Sequence, residues 1–182
     1  LNVTGSEKDA LVTIVEFSDY QCPHCRSAHS EARRLVEEHP QCIRLVHCNY
    51  PLDQSCNPAI TRRFHEQACD MACMALCAGE QDRFWEANDF LFQCDPSDMV
   101  NREAFVAELG LDGDTFEQCL ESTRALENVS EDLARGREHG VRGTPSFLVN
   151  GQLYTGRIPE HVITAHLEEH RSDRRQSERD GK

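Results

Sequence analysis

The stretch FSDYQCPHCRSAH, residues 17–29, sets Cys22 and Cys25 two residues apart around Pro23 and His24. Such a pair can be half of a zinc site, a crosslink or a redox centre, and its surroundings decide among them. Upstream runs LVTIVEF, residues 11–17, a short apolar segment rich in β-branched side chains. It predicts a strand buried on both faces, with Glu16 as its one violation. Downstream, Ala28, Ala32, Leu35 and Val36 recur at helical spacing until His39-Pro40, which predicts a helix over about 25–38. CIRLVHCNYPL, residues 42–52, predicts a second strand. Strand, helix and strand in about forty residues form a βαβ unit with a right-handed crossover.

Cys22 therefore falls at the start of a helix, where Pro23 suits the first turn. Unpaired backbone N–H groups and the helix dipole favour a thiolate there, and His24 can add charge or a hydrogen bond. Cys25 lies one turn further in, as a resolving thiol would. A zinc site needs a second pair of ligands, and the chain has no other CxxC. The pair reads as a redox centre.

From Pro58 to about Leu133 the pattern is helical, with helices expected at about 59–78, 81–93, 102–109, 114–120 and 122–138. PSFLVNGQLYTG, residues 145–156, predicts two short strands joined at Asn150-Gly151, the strongest short hairpin signal. A last helix is expected over about 159–170. The order is βαβ, a helical block, then ββα: an α/β thioredoxin arrangement, a central mixed sheet flanked by helices, with a helical insertion (about 58–138) between the second and third strands. One domain over 1–170 and a disordered polar tail over 171–182 are expected.

Of 182 residues, 32 are acidic and 19 basic, for a net charge of −13. That excess gives no general electrostatic reason to bind nucleic acid or anionic membranes. No run of eighteen apolar residues exists to span a bilayer. The first residue is Leu1, which suggests a mature or excised fragment whose signal or anchor is out of view. Ten cysteines, an even and high number, favour an oxidising compartment.

FSDYQCPHC together with GVRGTPSFLVNG resembles the DsbA-like branch of the thioredoxin superfamily over roughly residues 10–170. The resemblance implies a thiol–disulfide oxidoreductase that acts on cysteine-containing protein substrates. CPHC is the form associated with the family's dithiol oxidases, though Thr144 also occurs in isomerase-like members at that position. A non-catalytic peptide- or metal-binding module is the other reading. Thr144-Pro145 falls where the family carries its cis-proline loop, which pairs with bound peptide. Glu16, six residues before Cys22, falls where relatives bury an acid that can accept or relay the proton of Cys25; otherwise it is a strand-edge residue reaching solvent. The implied site is Glu16, Cys22, Pro23, His24 and Cys25, with Thr144 and Pro145 on the substrate side. No metal or organic cofactor is called for. The resemblance also implies an extracytoplasmic, periplasmic setting and a membrane quinone-reductase partner of DsbB or vitamin K epoxide reductase type. The state expected by default is a monomer.

Cys69, Cys73 and Cys77 recur every four residues, with His65 one step earlier, a slowly drifting helical stripe. Three readings stay open: a structural disulfide, for example from Cys56 to this helix; buried free thiols; or metal ligation. CNYPLDQSCNP followed by CAGEQDRFW is similar to the thioredoxin-like domains attached to vitamin K epoxide reductase-type proteins, which favours the disulfide. Cys42 and Cys48 lie too far apart along a strand to pair. FWEANDFLF, residues 84–92, packs an insertion core through Phe84, Trp85, Leu91 and Phe92, or lines a groove. His29 and His47 show no ligand spacing.

Overall fold

The computed structural model describes residues 2–6, 10–96 and 98–168. The polar tail expected over 171–182 lies outside them. The sheet is formed by β1 (Asn2–Gly5), β2 (Val12–Ser18), β3 (Ile43–Asn49), β4 (Ser146–Val149) and β5 (Gln152–Thr155). Their order is β1-β3-β2-β4-β5. β2 and β3 are parallel; β1–β3, β2–β4 and β4–β5 are antiparallel. The sheet is mixed and central, as the sequence predicts, but it gains an edge strand. β1 has only Val3 as an apolar residue and is half-buried throughout. It is held by backbone pairing to β3, which leaves no hydrophobic alternation to read.

α1 (Pro23–Glu38) covers one face of the sheet. Its Ala28, Ala32 and Val36 meet Val12 and Ile14 of β2, Ile43 and Leu45 of β3, and Phe147 and Val149 of β4. Ile163, in the final helical segment, closes the same cluster. On the other face, Phe17, Val46, Cys48 and Leu148 pack against helices inserted between β3 and β4: α2 (Ala68–Gly79), α3 (Phe84–Gln93), α4 (Arg102–Leu109), α5 (Gly113–Glu121) and α6 (Arg124–Glu138). Phe84, Leu91 and Phe92 are core residues, and Trp85 packs partly buried against both clusters.

The expected helix over 59–78 is corrected: α2 begins only at Ala68. Residues 50–67 instead run as turns, because Asp53 and Asn57 side chains accept from the backbone N–H of Ser55 and Ala59. Such local bonds compete with the helix. His65 is thereby removed from the cysteine stripe. The stripe itself divides. Cys69 bonds Cys56, and Cys77 bonds Cys119 on α5. Cys73, expected among the disulfide candidates, is a free thiol. Each four-residue step turns the side chain by about 40°, so the three cysteines face different neighbours. Cys42 and Cys48 are also free.

Two close fits hold the frame. The hairpin turns at Asn150 and Gly151 with φ of 48° and 87°, the pair of positive angles that the Asn-Gly sequence accommodates. α6 approaches β3 through Gly136, where an added Cβ would lie 2.5 Å from the Tyr50 ring.

Candidate functional site: a dithiol facing a cis-proline loop

β2 delivers the chain to Ser18, and the Asp19 carboxylate then organises the turn. It accepts from the backbone N–H of Gln21 (2.7 Å) and of Leu52 (2.6 Å) and contacts His65 Nδ1 at 2.9 Å. Gln21 bridges the turn to the insertion, donating to the Pro96 carbonyl and accepting from Gln67 N–H. Cys22 follows as the N-cap of α1, with extended backbone angles and Pro23 in the first turn. No side chain caps this helix, and the backbone N–H groups of His24 and Cys25 act on the sulfur.

The two thiols differ in exposure and acidity. Cys22 is 6% exposed and Cys25 fully buried. The Cys22 thiol is lowered to about 6, first by a hydrogen bond from the Cys25 thiol; partial burial opposes this, and the backbone of Cys25, the Thr144 side chain and the backbone of His24 add to it. Cys25 is pushed far above the ordinary thiol range by burial, reinforced by Cys22. The two neighbouring thiols are thus shifted in opposite directions. The His24 imidazole is exposed, so His24 acts on Cys22 through its backbone.

The facing loop is Gly143–Ser146. The Thr144–Pro145 peptide bond is cis. The Thr144 carbonyl lies 3.6 Å from Cys22 Sγ. The Thr144 hydroxyl is buried without a partner of its own, and it lowers the pKa of both thiols. It is a donor free to turn to whichever sulfur is charged.

Glu16 is fully buried, not at a solvent-reaching edge. Its carboxylate meets His29 Nδ1 at 3.0 Å and His47 Nδ1 at 3.5 Å. Burial favours its neutral form, yet His29 and then His47 outweigh that and hold it at about 2. His29 is opposed by its own burial but raised to about 9 by Glu16 and Asp89. The side chains turned toward Cys25 are Cys22, Ser18 and Thr144; Glu16 is engaged with the histidines.

The sequence reading missed Asp19, His65, Ser18, His29 and His47. The last two had one available signal. The period-2 row Val12, Ile14, Glu16 lies in register beside Ile43, Leu45, His47, and His29 sits on the apolar face of α1 with Ala28 and Ala32. All three polar residues occupy core positions.

A five-stranded mixed sheet, a Cys-X-X-Cys pair at a helix N-cap and a cis-proline loop opposite define the thioredoxin class. A family model described as Thioredoxin matches residues 2–169, and the chain belongs to that family. A thioredoxin-like oxidoreductase from Silicibacter pomeroyi DSS-3 is 28% identical with a TM-score of 0.73, over 93% of this chain and 91% of that one. The thiol-disulfide exchange protein alpha-DsbA2 from Wolbachia pipientis shares the fold at 18% identity and a TM-score of 0.73, over 92% and 86% of the two chains. Among curated proteins, the Na(+)/H(+) antiporter NhaA 1 of Salinispora arenicola is 31% identical over 162 residues, which is 87% of this chain and 23% of that protein. The antiporter NhaA of Herminiimonas arsenicoxydans is 30% identical over 180 residues, 97% and 27% of the two. The chain thus spans about a quarter of the length of the curated relatives it matches. Among the described residues, no helix is long and apolar enough to cross a membrane.

Proposed function

We propose that the chain is a thiol–disulfide oxidoreductase acting on protein cysteines, and that it runs as a dithiol oxidase. One observation carries this reading: Cys22 is acidified at a helix N-cap while Cys25, one turn away, is buried and made less acidic. In the oxidised form a substrate thiolate attacks Cys22 Sγ. The Cys22–Cys25 bond breaks, and Cys25 leaves and takes up a proton. A second substrate thiolate then attacks the substrate sulfur of the mixed disulfide, and Cys22 departs as a thiolate. Two electrons have passed from substrate to the pair. The low pKa of Cys22 makes it a good leaving group and stabilises the reduced form, so the disulfide is oxidising. Pro23 and the His24 backbone shape the helix start, while Thr144 and Pro145 present the facing loop to a bound peptide. Glu16 serves at one remove, through the charge it fixes on His29.

Two structural disulfides beside the redox pair fit an oxidising, extracytoplasmic compartment. There a membrane quinone reductase of DsbB or vitamin K epoxide reductase type would return the pair to its disulfide. The antiporter relatives suggest a second arrangement, in which a domain of this kind works beside a transport domain in one polypeptide.

Titration of Cys22/Cys25 in glutathione buffers tests the direction of flow. A potential above about −220 mV supports the oxidase, and a more negative one assigns the pair to a reductase. Cys22→Ser should abolish exchange. Retained substrate binding with no turnover in the wild type would assign the scaffold to a binding module.

A further inference from the structure

Glu16, His29 and His47 form a cluster none of whose atoms takes part in the bond exchanges of the dithiol. The three side chains are 0%, 3% and 1% exposed. One donor atom from each lies within 4.8 Å of the others. Three atoms of ligand type there have no hydrogen-bond partner: Glu16 Oε1 and both ring nitrogens of His47. Each such atom costs about 1–3 kcal/mol when buried unpaired, so three in one place call for an occupant.

The contacts of His29 narrow the choice. Its Nε2 lies 3.1 Å from Asp89 Oδ1, and its Nδ1 lies 3.0 Å from Glu16 Oε2. Both ring nitrogens therefore face carboxylate oxygens. A neutral imidazole has one N–H and can satisfy only one of them. With the N–H directed to Asp89, a cation is needed at the Glu16 side: a second proton on His29, or a metal ion. A proton on His29 leaves both ring nitrogens of His47 unpaired, whereas a metal ion held by Glu16 Oε2, His29 Nδ1 and His47 Nδ1 engages a donor atom of all three residues.

We propose that Glu16, His29 and His47 bind a divalent transition-metal ion of the zinc class. Two imidazoles and a carboxylate are a donor set that such ions accept, with one position left for water. The Glu16-to-histidine separations of 3.0 and 3.5 Å bracket the edge of about 3.3 Å expected of a tetrahedron with bonds near 2.05 Å. Asp89 orients His29 from outside, as a carboxylate does in a carboxylate–histidine–zinc triad. Asp89 is itself fixed by Arg33, whose Nε and Nη2 donate to its two oxygens at 3.2 and 3.0 Å. A surface cleft lined by Arg26, His29, Arg33, Asp89 and Phe92 reaches the cluster and supplies an access route. Two carboxylates, Glu16 and Asp89, offset the charge of the ion. The site is separate from the dithiol and stands whether or not the pair turns over.

The test uses the full chain, stripped with chelator and with its accessible thiols alkylated under native conditions, the fold being checked by circular dichroism; the absence of a thiolate charge-transfer band then reports that no cysteine ligates. Cobalt(II) titration should show one equivalent bound, with the visible bands of a low-coordinate site and no thiolate charge-transfer band. Calorimetry with zinc should give the same stoichiometry. Asp89→Asn, at a half-exposed position, should weaken binding roughly 10- to 100-fold. His47→Gln should weaken it further, with the fold checked by circular dichroism. No binding to the alkylated wild type overturns the proposal. So does binding that His47→Gln and Asp89→Asn leave unchanged.

Discussion

Asp19 with His65 and Glu16 with His29 are both carboxylate–imidazole pairs, separated by 2.9 and 3.0 Å, yet they are built for different conditions. Asp19 is buried, but His65 is 15% exposed, on the loop stapled by the Cys56–Cys69 disulfide. The Asp19 carboxylate also holds two backbone N–H groups of the turn ahead of Cys22. His65 is disfavoured as a cation by burial, but Asp19, Cys22 and Asp53 raise its pKa. In the second pair both members are buried, with Phe92 and Trp85 stacked against His29. A pair open to water has its charge screened and adds little to stability. A buried pair has little water to take the place of a lost partner. The first pair is suited to sensing the charge of Cys22, and the second to holding a fixed charge within the sheet.

The largest effect expected is from Glu16→Gln. It removes the buried partner of the His29 charge, leaving only Asp89 beside it, and should lower unfolding free energy by about 3–5 kcal/mol, read from the shift in the denaturant midpoint of chelator-stripped protein. Asp19→Asn removes the charge while keeping an acceptor. It weakens the bonds to Gln21, Leu52 and His65 and should cost less, about 1–3 kcal/mol. If Asp19→Asn costs as much as Glu16→Gln, the contrast between the pairs fails.

Next in size is the pH dependence of the buried pair, again in stripped protein. His29 is raised from 6.5 to about 9. Its contribution is fully present below pH 6.5 and is lost as pH rises through 9, by about 3 kcal/mol. Glu16, lowered from 4.5 to about 2, gives the mirror image: its contribution is present above pH 4.5 and lost as pH falls through 2. Both report one interaction and are not summed. Chemical denaturation should show greatest stability from this source between pH 4.5 and 6.5, and a shallower profile in Glu16→Gln, where Asp89 alone still raises His29.

The smallest expected effect is on the open pair. His65→Gln removes a cation near Cys22, so the pKa of the Cys22 thiol should rise, as read from thiolate absorbance or alkylation rate against pH. High salt should shrink the difference between variant and wild type. No change would detach His65 from the redox site.

How much of this was legible depended on whether a residue's partner lies close in sequence. Cys22 and Cys25 carry their own helix start and buried strand on either side, and Asn150-Gly151 encodes its turn locally. β2, α1 and β3 were readable because periodicity is a local property. Glu16 stood out as a charge in an apolar strand. Its partners did not, because His29 and His47 meet it only once β2 and β3 are in register and α1 lies across them. The same reason hid Asp19–His65, which are 46 residues apart, and the choice of Cys119 for Cys77, 42 residues away. α2 started nine residues late because two Asx turns outcompeted a helical composition. β1 was invisible because pairing along a sheet edge needs no particular side chain.

The bare N-terminus of α1 has a thermodynamic corollary. Ser or Asp at Cys22 would cap those N–H groups permanently, whereas a sulfur caps them only when it carries charge. Reduction thus supplies an anchor to a sixteen-residue helix, and disulfide formation withdraws it. Folding and reduction form a closed cycle, so the free energy by which the reduced fold outlasts the oxidised one equals the excess oxidising power of the native disulfide over the same disulfide in the unfolded chain. Every 30 mV of that excess corresponds to about 1.4 kcal/mol. Melting curves of the two redox forms should then yield that excess without a redox buffer.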